Sequence, residues 1–368
     1  MPDNGYLPFI FQRISTLAQK ILDSPVNTCM RKKWPFIVFL ILIGVYFLGP
    51  HPSTPVYKST LPLVPPTAGL DNFIKISESF HKIKPDNEAR IVWTNDSLKH
   101  KTDYAIVYLP GFTASQAEGD PIHRQIARKF GCNLFLARLA EHGIDTTAAL
   151  VNLTAEKYWE SAEEALAIGK QLGKKVILMG TSTGGTLALM LAARFPEVNS
   201  LVLLSPNIAI NDPFAFLLNN PWGLQIAHGV LQSDYIMATD QREVYRQYWS
   251  TPYRVEAAVE LQELIETSMT PETFKKVKQP VLTLYYYKDE VHQDSVVKVS
   301  AMKTMMKQLA TPESLKRAAA IPGAGHHVIA SYIKSKDLSS VQREIENFMR
   351  DVLKIKPVEE MHSYSFKD

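Results

Sequence analysis

The chain has 368 residues, 46% hydrophobic and 21% charged, with 17 Gly and 23 Pro, which excludes collagen-like, coiled-coil and wholly disordered chains and leaves length enough for a sizeable core. Lys+Arg number 40 against 37 Asp+Glu, but five of the basic and two of the acidic residues fall in residues 1–33, so the rest of the chain is neutral and offers no basic face to nucleic acid. Two cysteines, Cys29 and Cys132, rule out a disulfide framework and a zinc site built on several thiolates.

Residues 1–33 read as a cytoplasmic tail. Trp34 to Gly49, WPFIVFLILIGVYFLG, is sixteen residues without a charge and rises about 24 Å as a helix. It is expected to be a single transmembrane signal-anchor over 34–49. Arg31-Lys32-Lys33 directly before it predicts a cytoplasmic N-terminus and an exported remainder. A cleaved signal peptide and a buried core helix are the rivals; no small-x-small cleavage site follows. Met30 offers an alternative start, and Phe9–Leu22 is weakly amphipathic, as a helix on the inner leaflet would be. In this orientation Cys29 and Cys132 lie on opposite sides of the membrane and cannot pair. Residues 50–70 hold Pro50, Pro52, Pro55, Pro62, Pro65 and Pro66 and read as an extended, semi-rigid linker.

From residue 71 strands and helices alternate. Strands are expected at Ala89–Trp93, Tyr104–Leu109, Asn133–Ala137, Lys175–Met179, Leu201–Leu204, Pro280–Tyr287 and Lys316–Ile321. Helices are expected at Pro121–Phe130, Ala155–Leu172, Thr186–Arg194 and Val341–Leu353. Short apolar strands alternating with helices imply an α/β class with a mostly parallel sheet covered on both faces. The core is expected over 71–206 and 277–356. Residues 207–276 break the rhythm: this stretch looks helical and carries Phe214, Phe216, Trp222, Tyr235, Tyr245, Tyr248, Trp249 and Tyr253. It is far longer than a plain crossover needs and reads as a helical cap or lid.

Gly180-Thr181-Ser182-Thr183-Gly184-Gly185 follows the apolar run KKVILM and precedes TLALMLAARF. Gly-x-Ser-x-Gly alone is a weak signal, but strand, tight turn and helix are the context a nucleophile elbow requires. Small residues permit the turn, and the helix N-terminus favours negative charge beside the serine. No Gly-Lys-Ser/Thr ending is present for a phosphate loop. A serine nucleophile needs a base, and the base an orienting acid, expected in chain order Ser, acid, His. Asp289 stands two residues past the strand VLTLYYY and is the expected acid, with Glu290 and Asp294 as rivals. The base is His326 or His327, in the loop Ile321-Pro322-Gly323-Ala324-Gly325-His326-His327; spacing leaves the choice open. The oxyanion hole is expected from the amides of Phe112, in the loop Leu109-Pro110-Gly111-Phe112-Thr113, and Thr183. His123 and His228 read as structural.

The segments YAIVYLPGFTASQAE, NLFLARLAEHGI, KKVILMGTSTGGTLAL, LYYYKDEVH and IPGAGHHVIAS occur in order over residues 104–355. Together they resemble the α/β-hydrolase superfamily, in particular its bacterial carboxylesterase and monoacylglycerol-lipase branch. The resemblance implies an α/β-hydrolase fold, Ser182 as nucleophile, Asp289 as orienting acid and His327 as base. His327 is preferred because the family pattern often reads Gly-x-His-Val-Ile here. Two departures stand out: Pro110-Gly111 where relatives have His-Gly, and Glu141-His142-Gly143 where Gly-His-Gly is usual. The expected activity is hydrolysis of an apolar carboxylic ester, a small molecule, through an acyl-enzyme, with no cofactor and no metal. Thioesterase, acyltransferase and peptidase chemistry share the triad, and a non-catalytic ligand-binding relative shares the fold. Ser182 at the elbow excludes the Asp-nucleophile branches of the superfamily.

Overall fold

A computed structural model describes residues 28–358, with side chains from Lys33 onward. The Phe9–Leu22 expectation and the Cys29 side chain lie outside the described residues. The chain divides into two units, Met1–Pro50 and His51–Asp368.

In the first unit, α1 (Thr28–Phe47) is twenty residues long and begins six residues before the expected span. Its first turns are taken up by Arg31-Lys32-Lys33, so its uncharged part runs only from Trp34 to Phe47. That part rises about 21 Å, well short of a hydrocarbon core of about 30 Å. Among the described residues no helix is long and apolar enough to cross a membrane, and the expected transmembrane span over 34–49 is corrected accordingly. Trp34 and every residue from Phe36 to Leu42 are exposed.

The second unit opens with the proline-rich stretch, which is not a free tether. Tyr57, Leu61 and Val64 pack against the core. The Trp159 indole donates to the Lys58 carbonyl at 2.5 Å, and the Thr67 hydroxyl to that of Gln171 at 2.7 Å. After α2 (Leu70–Ser79) come β1 (Arg90–Val92), β2 (Thr102–Leu109), α3 (Ile122–Lys129), β3 (Asn133–Leu136), α4 (Ala155–Leu172), β4 (Gly173–Thr181), α5 (Thr183–Arg194) and β5 (Val198–Leu204).

The seven strands lie in the order β1-β3-β2-β4-β5-β8-β9, where β8 is Val281–Tyr285 and β9 Lys316–Ala320. Only β1 is antiparallel, at the edge beside β3; the other pairs are parallel. Alternate residues feed opposite faces. Ala105, Val107 and Leu109 join α2, α4, α5 and the later α10 (Val299–Gln308) in one core. Ile106 and Tyr108 join α3 and α11 (Leu338–Asn347) in the other. This is the two-layer burial that the continuous apolar strands required.

The insertion between β5 and β8 holds α6 (Gly223–Leu231), β6 (Tyr235–Ile236), α7 (Glu243–Tyr248), β7 (Tyr253–Arg254), α8 (Val255–Ser268) and α9 (Pro271–Phe274). It is not wholly helical: β6 and β7 form a two-stranded antiparallel sheet. Ala257 and Leu264 of α8 sit in the main core, so the insertion is not wholly a layer outside it.

Candidate active site

Ser182 occupies the turn between β4 and α5 with φ 51° and ψ −118°, a conformation costly for any residue with a side chain. Its surroundings hold it there. The Ser182 amide donates to the Leu204 carbonyl at 2.9 Å, and the Ser182 carbonyl accepts from the amides of Gly185, Thr186 and Asn207. Flanking glycines are a packing requirement. A Cβ on Gly180 would meet the Gly184 carbonyl oxygen at 2.3 Å, and one on Gly184 would meet that of Leu109 at 1.9 Å. Close approach of elbow to oxyanion loop is thus written into the motif.

In that loop, the Gly111 amide donates to Glu118 Oε2 at 2.5 Å. The Thr113 amide donates to His142 Nε2 at 3.1 Å, and that of Ala114 to the Gly111 carbonyl. The Phe112 amide between them has no acceptor among the described residues. Thr183 is the first residue of α5, and a first-turn amide has no partner within its own helix. Both amides expected to form the oxyanion hole are therefore open.

His142 braces this loop. Its Nδ1–H donates to the Ala140 carbonyl at 2.7 Å, leaving Nε2 to accept from Thr113 and from the Tyr158 hydroxyl. Burial pulls its pKa down to about 4, so it stays neutral and keeps that acceptor. The cap reaches the same loop: Ala114 bridges Trp249, the Ser115 amide donates to Tyr248, and the Ser250 amide to Thr113.

The two histidines separate clearly. His327 is buried, and its Nδ1 lies 2.6 Å from Asp294 Oδ2. Asp294 is buried too, and its Oδ1 accepts from the amides of Val296 and Val297. Burial raises the Asp294 pKa, but His327 and the two amides outweigh it and the net shift is downward. Burial lowers that of His327, but Asp294, helped by Glu118, carries it above 6.5. His326 instead accepts the Val328 amide at Nδ1. Burial, then Lys334 and His327, lower its pKa to about 4.

Asp289 is not the partner of either histidine. It is exposed, and its carboxylate caps a turn by accepting from the Val291 and His292 amides and from His292 Nδ1. The chain leaves the end of β8, makes a short excursion closed by the Tyr287–Gln293 bridge, and returns with the Asp294 amide on the Tyr286 carbonyl. The carboxylate beside the histidine is thus the rival, Asp294.

Sequence reasoning also passed over Glu118. It is only 2% exposed. Burial raises its pKa to about 7, against hydrogen bonds from Gly111, Tyr108 and Trp249 and the nearby His327. No sequence signal marked it.

The model of the alpha/beta hydrolase family matches residues 106–332, more than half of the chain. The chain belongs to the alpha/beta hydrolase family. Solved structures agree on the fold of this hydrolase. One, from work on two metagenome-derived lipolytic enzymes, LipS and LipT, is 18% identical, with a TM-score of 0.58 over 73% of this chain and 99% of that one. The Paleococcus ferrophilus monoacylglycerol lipase is 13% identical, with a TM-score of 0.52 over 72% of this chain and 98% of that one. No curated protein matches this hydrolase closely enough to count as a relative.

Proposed function

We propose that the protein is a serine hydrolase of carboxylic esters in which Ser182 is the nucleophile, His327 the base and Asp294 the orienting acid. The observation that carries this is the 2.6 Å contact of His327 Nδ1 with the buried Asp294, on the sheet edge that also bears the Ser182 elbow and two open amides. Asp294 holds Nδ1 protonated, which leaves Nε2 to take the Ser182 proton. No hydrogen bond joins Ser182 to His327 among the described residues; such bonds tighten when substrate is in place. Ser182 attacks the ester carbonyl, and the Phe112 and Thr183 amides receive the oxyanion, each worth about 3 kcal/mol. His327 then protonates the departing alcohol, and water resolves the acyl-enzyme.

The substrate class is read from the cap, whose Tyr253 ring packs edge-on against Phe112 at 5.1 Å and whose aromatics favour an apolar acyl chain. The lipolytic enzymes of similar fold are consistent with that choice. The exposed apolar length of α1 supports membrane association of the chain. Export of the catalytic unit depends on a crossing helix and has no support in the described residues.

Hydrolysis of p-nitrophenyl esters from acetate to palmitate tests the proposal. Wild type should be active with a defined chain-length optimum, and Ser182→Ala and His327→Ala should be inactive. Folded wild type inert on the whole series would reject the ester reading in favour of thioester or amide chemistry.

A further inference from the structure

We propose that Glu118 is a positioning residue of this site: its carboxylate holds the Gly111 amide, and so the oxyanion loop, in place beside Ser182. This rests on the serine-hydrolase reading above.

The geometry begins with Pro110. Proline has no N–H, so the first backbone donor of the loop is Gly111, and that donor is spent on Glu118 Oε2 at 2.5 Å. The next amide, Phe112, is then left to face the reacting oxygen. A Cβ on Gly111 would lie 2.9 Å from Glu118 Oε1 and 3.0 Å from Ser182 Cβ, so the carboxyl group and the nucleophile's residue are within a methyl group's width of each other across Gly111. Trp249 of the cap is bridged to Ala114 of the same loop. The loop is therefore held by Glu118 at Gly111 and by the cap from Thr113 to Ser115.

Its charge is felt by His327. The other groups facing it are Tyr108, Tyr158 of α4 and Tyr245 of α7. Burial keeps these phenols protonated. His123 of α3, stacked edge-on with Tyr108, is held neutral by burial, near 3. Asp120 lies beyond Tyr108 and is ion-paired with Arg124. His327 is thus the group here that gains a positive charge during catalysis.

The test is the pH profile of kcat/KM for wild type, Glu118→Gln and Glu118→Asp, read both by ester hydrolysis and by the rate of Ser182 labelling with a fluorophosphonate. A negative charge raises a neighbouring imidazole, so its removal in Glu118→Gln should move the acid limb down by about half a pH unit. Plateau kcat should fall by about tenfold with KM nearly unchanged. Glu118→Asp, which keeps the charge but loses the reach to Gly111, should keep the limb and lose kcat. An unchanged plateau kcat in Glu118→Asp would overturn the positioning role. Wild type that is labelled but cleaves no ester defeats the ester reading alone, because the labelling profile still decides Glu118. Should the variants not fold, hydrogen exchange of the Gly111 amide in wild type decides: strong protection supports its hold by Glu118 and free exchange overturns it.

Discussion

Asp294 uses both oxygens of one carboxyl group, one for two backbone amides and one for His327. Asn at this position keeps the shape but lets His327 settle in the wrong tautomer. Asp294→Asn should lower kcat on a p-nitrophenyl ester by about 10⁴-fold, whereas Asp289→Asn, which loosens an exposed turn, should leave kcat within about twofold. Because Asp294 raises the His327 pKa against the effect of burial and only the neutral ring can accept the serine proton, kcat/KM should fall with decreasing pH through a midpoint higher than that of an ordinary imidazole. Glu118 has a signature in stability as well. Its folded pKa of about 7 exceeds the ordinary 4.5, so its favourable contribution is complete below 4.5 and lost as pH rises through about 7. Urea unfolding at pH 5 and pH 8 should therefore show wild type losing up to about 3 kcal/mol relative to Glu118→Gln. The turn that carries Ser182 and the histidine loop were legible because their local motifs are contiguous. The carboxylate beside His327 was not: Asp289 stands nearer the strand end and was preferred, but the excursion closed by the Tyr287–Gln293 bridge returns Asp294 to the sheet instead. Glu118 was invisible because burial of a loop carboxylate is a tertiary fact.

At the scale of elements, the turn from β4 to α5 sets the site. Its tolerance is near zero at Gly184, where a methyl group would lie 1.9 Å from a carbonyl oxygen of the oxyanion loop. Gly184→Ala should cost about 3 kcal/mol in urea unfolding and abolish activity in whatever fraction remains folded. The strap from Tyr245 to Ser250 is the cap's link to that loop, and Trp249, stacked on Tyr245 at 4.7 Å, is its anchor. Trp249→Ala should destabilise by about 3 kcal/mol or more and lower kcat through the loop as well, measured as a kcat loss at saturating ester. The parallel strands were legible from their unbroken apolar runs, and the helix after the elbow from the apolar run TLALMLAARF. The short β6 and β7 carry two residues each and leave no periodic trace, so the insertion read as wholly helical.

For the molecule as a whole, the boundary at residue 50 matters more than the proline content suggests. The unit from His51 onward includes Tyr57, whose ring lies under the Arg194 guanidinium at 5.5 Å and whose hydroxyl meets Thr267 at 2.7 Å. A chain starting at His51 should unfold within about 2 °C of the full chain, while one starting at residue 70 should lose several degrees, because a buried segment is removed. Composition could not separate these cases, since proline-rich sequence forms a packed strap or a free linker according to what its Tyr, Leu and Val side chains find. A serine hydrolase of this design passes through an acylated Ser182. The direct measurement is mass spectrometry of the protein quenched during turnover of p-nitrophenyl acetate. An acetyl adduct on the Ser182 peptide that accumulates with a burst of nitrophenolate, and is absent from Ser182→Ala and His327→Ala, is the expected result. Turnover with no adduct, or an adduct on another residue, would contradict the account.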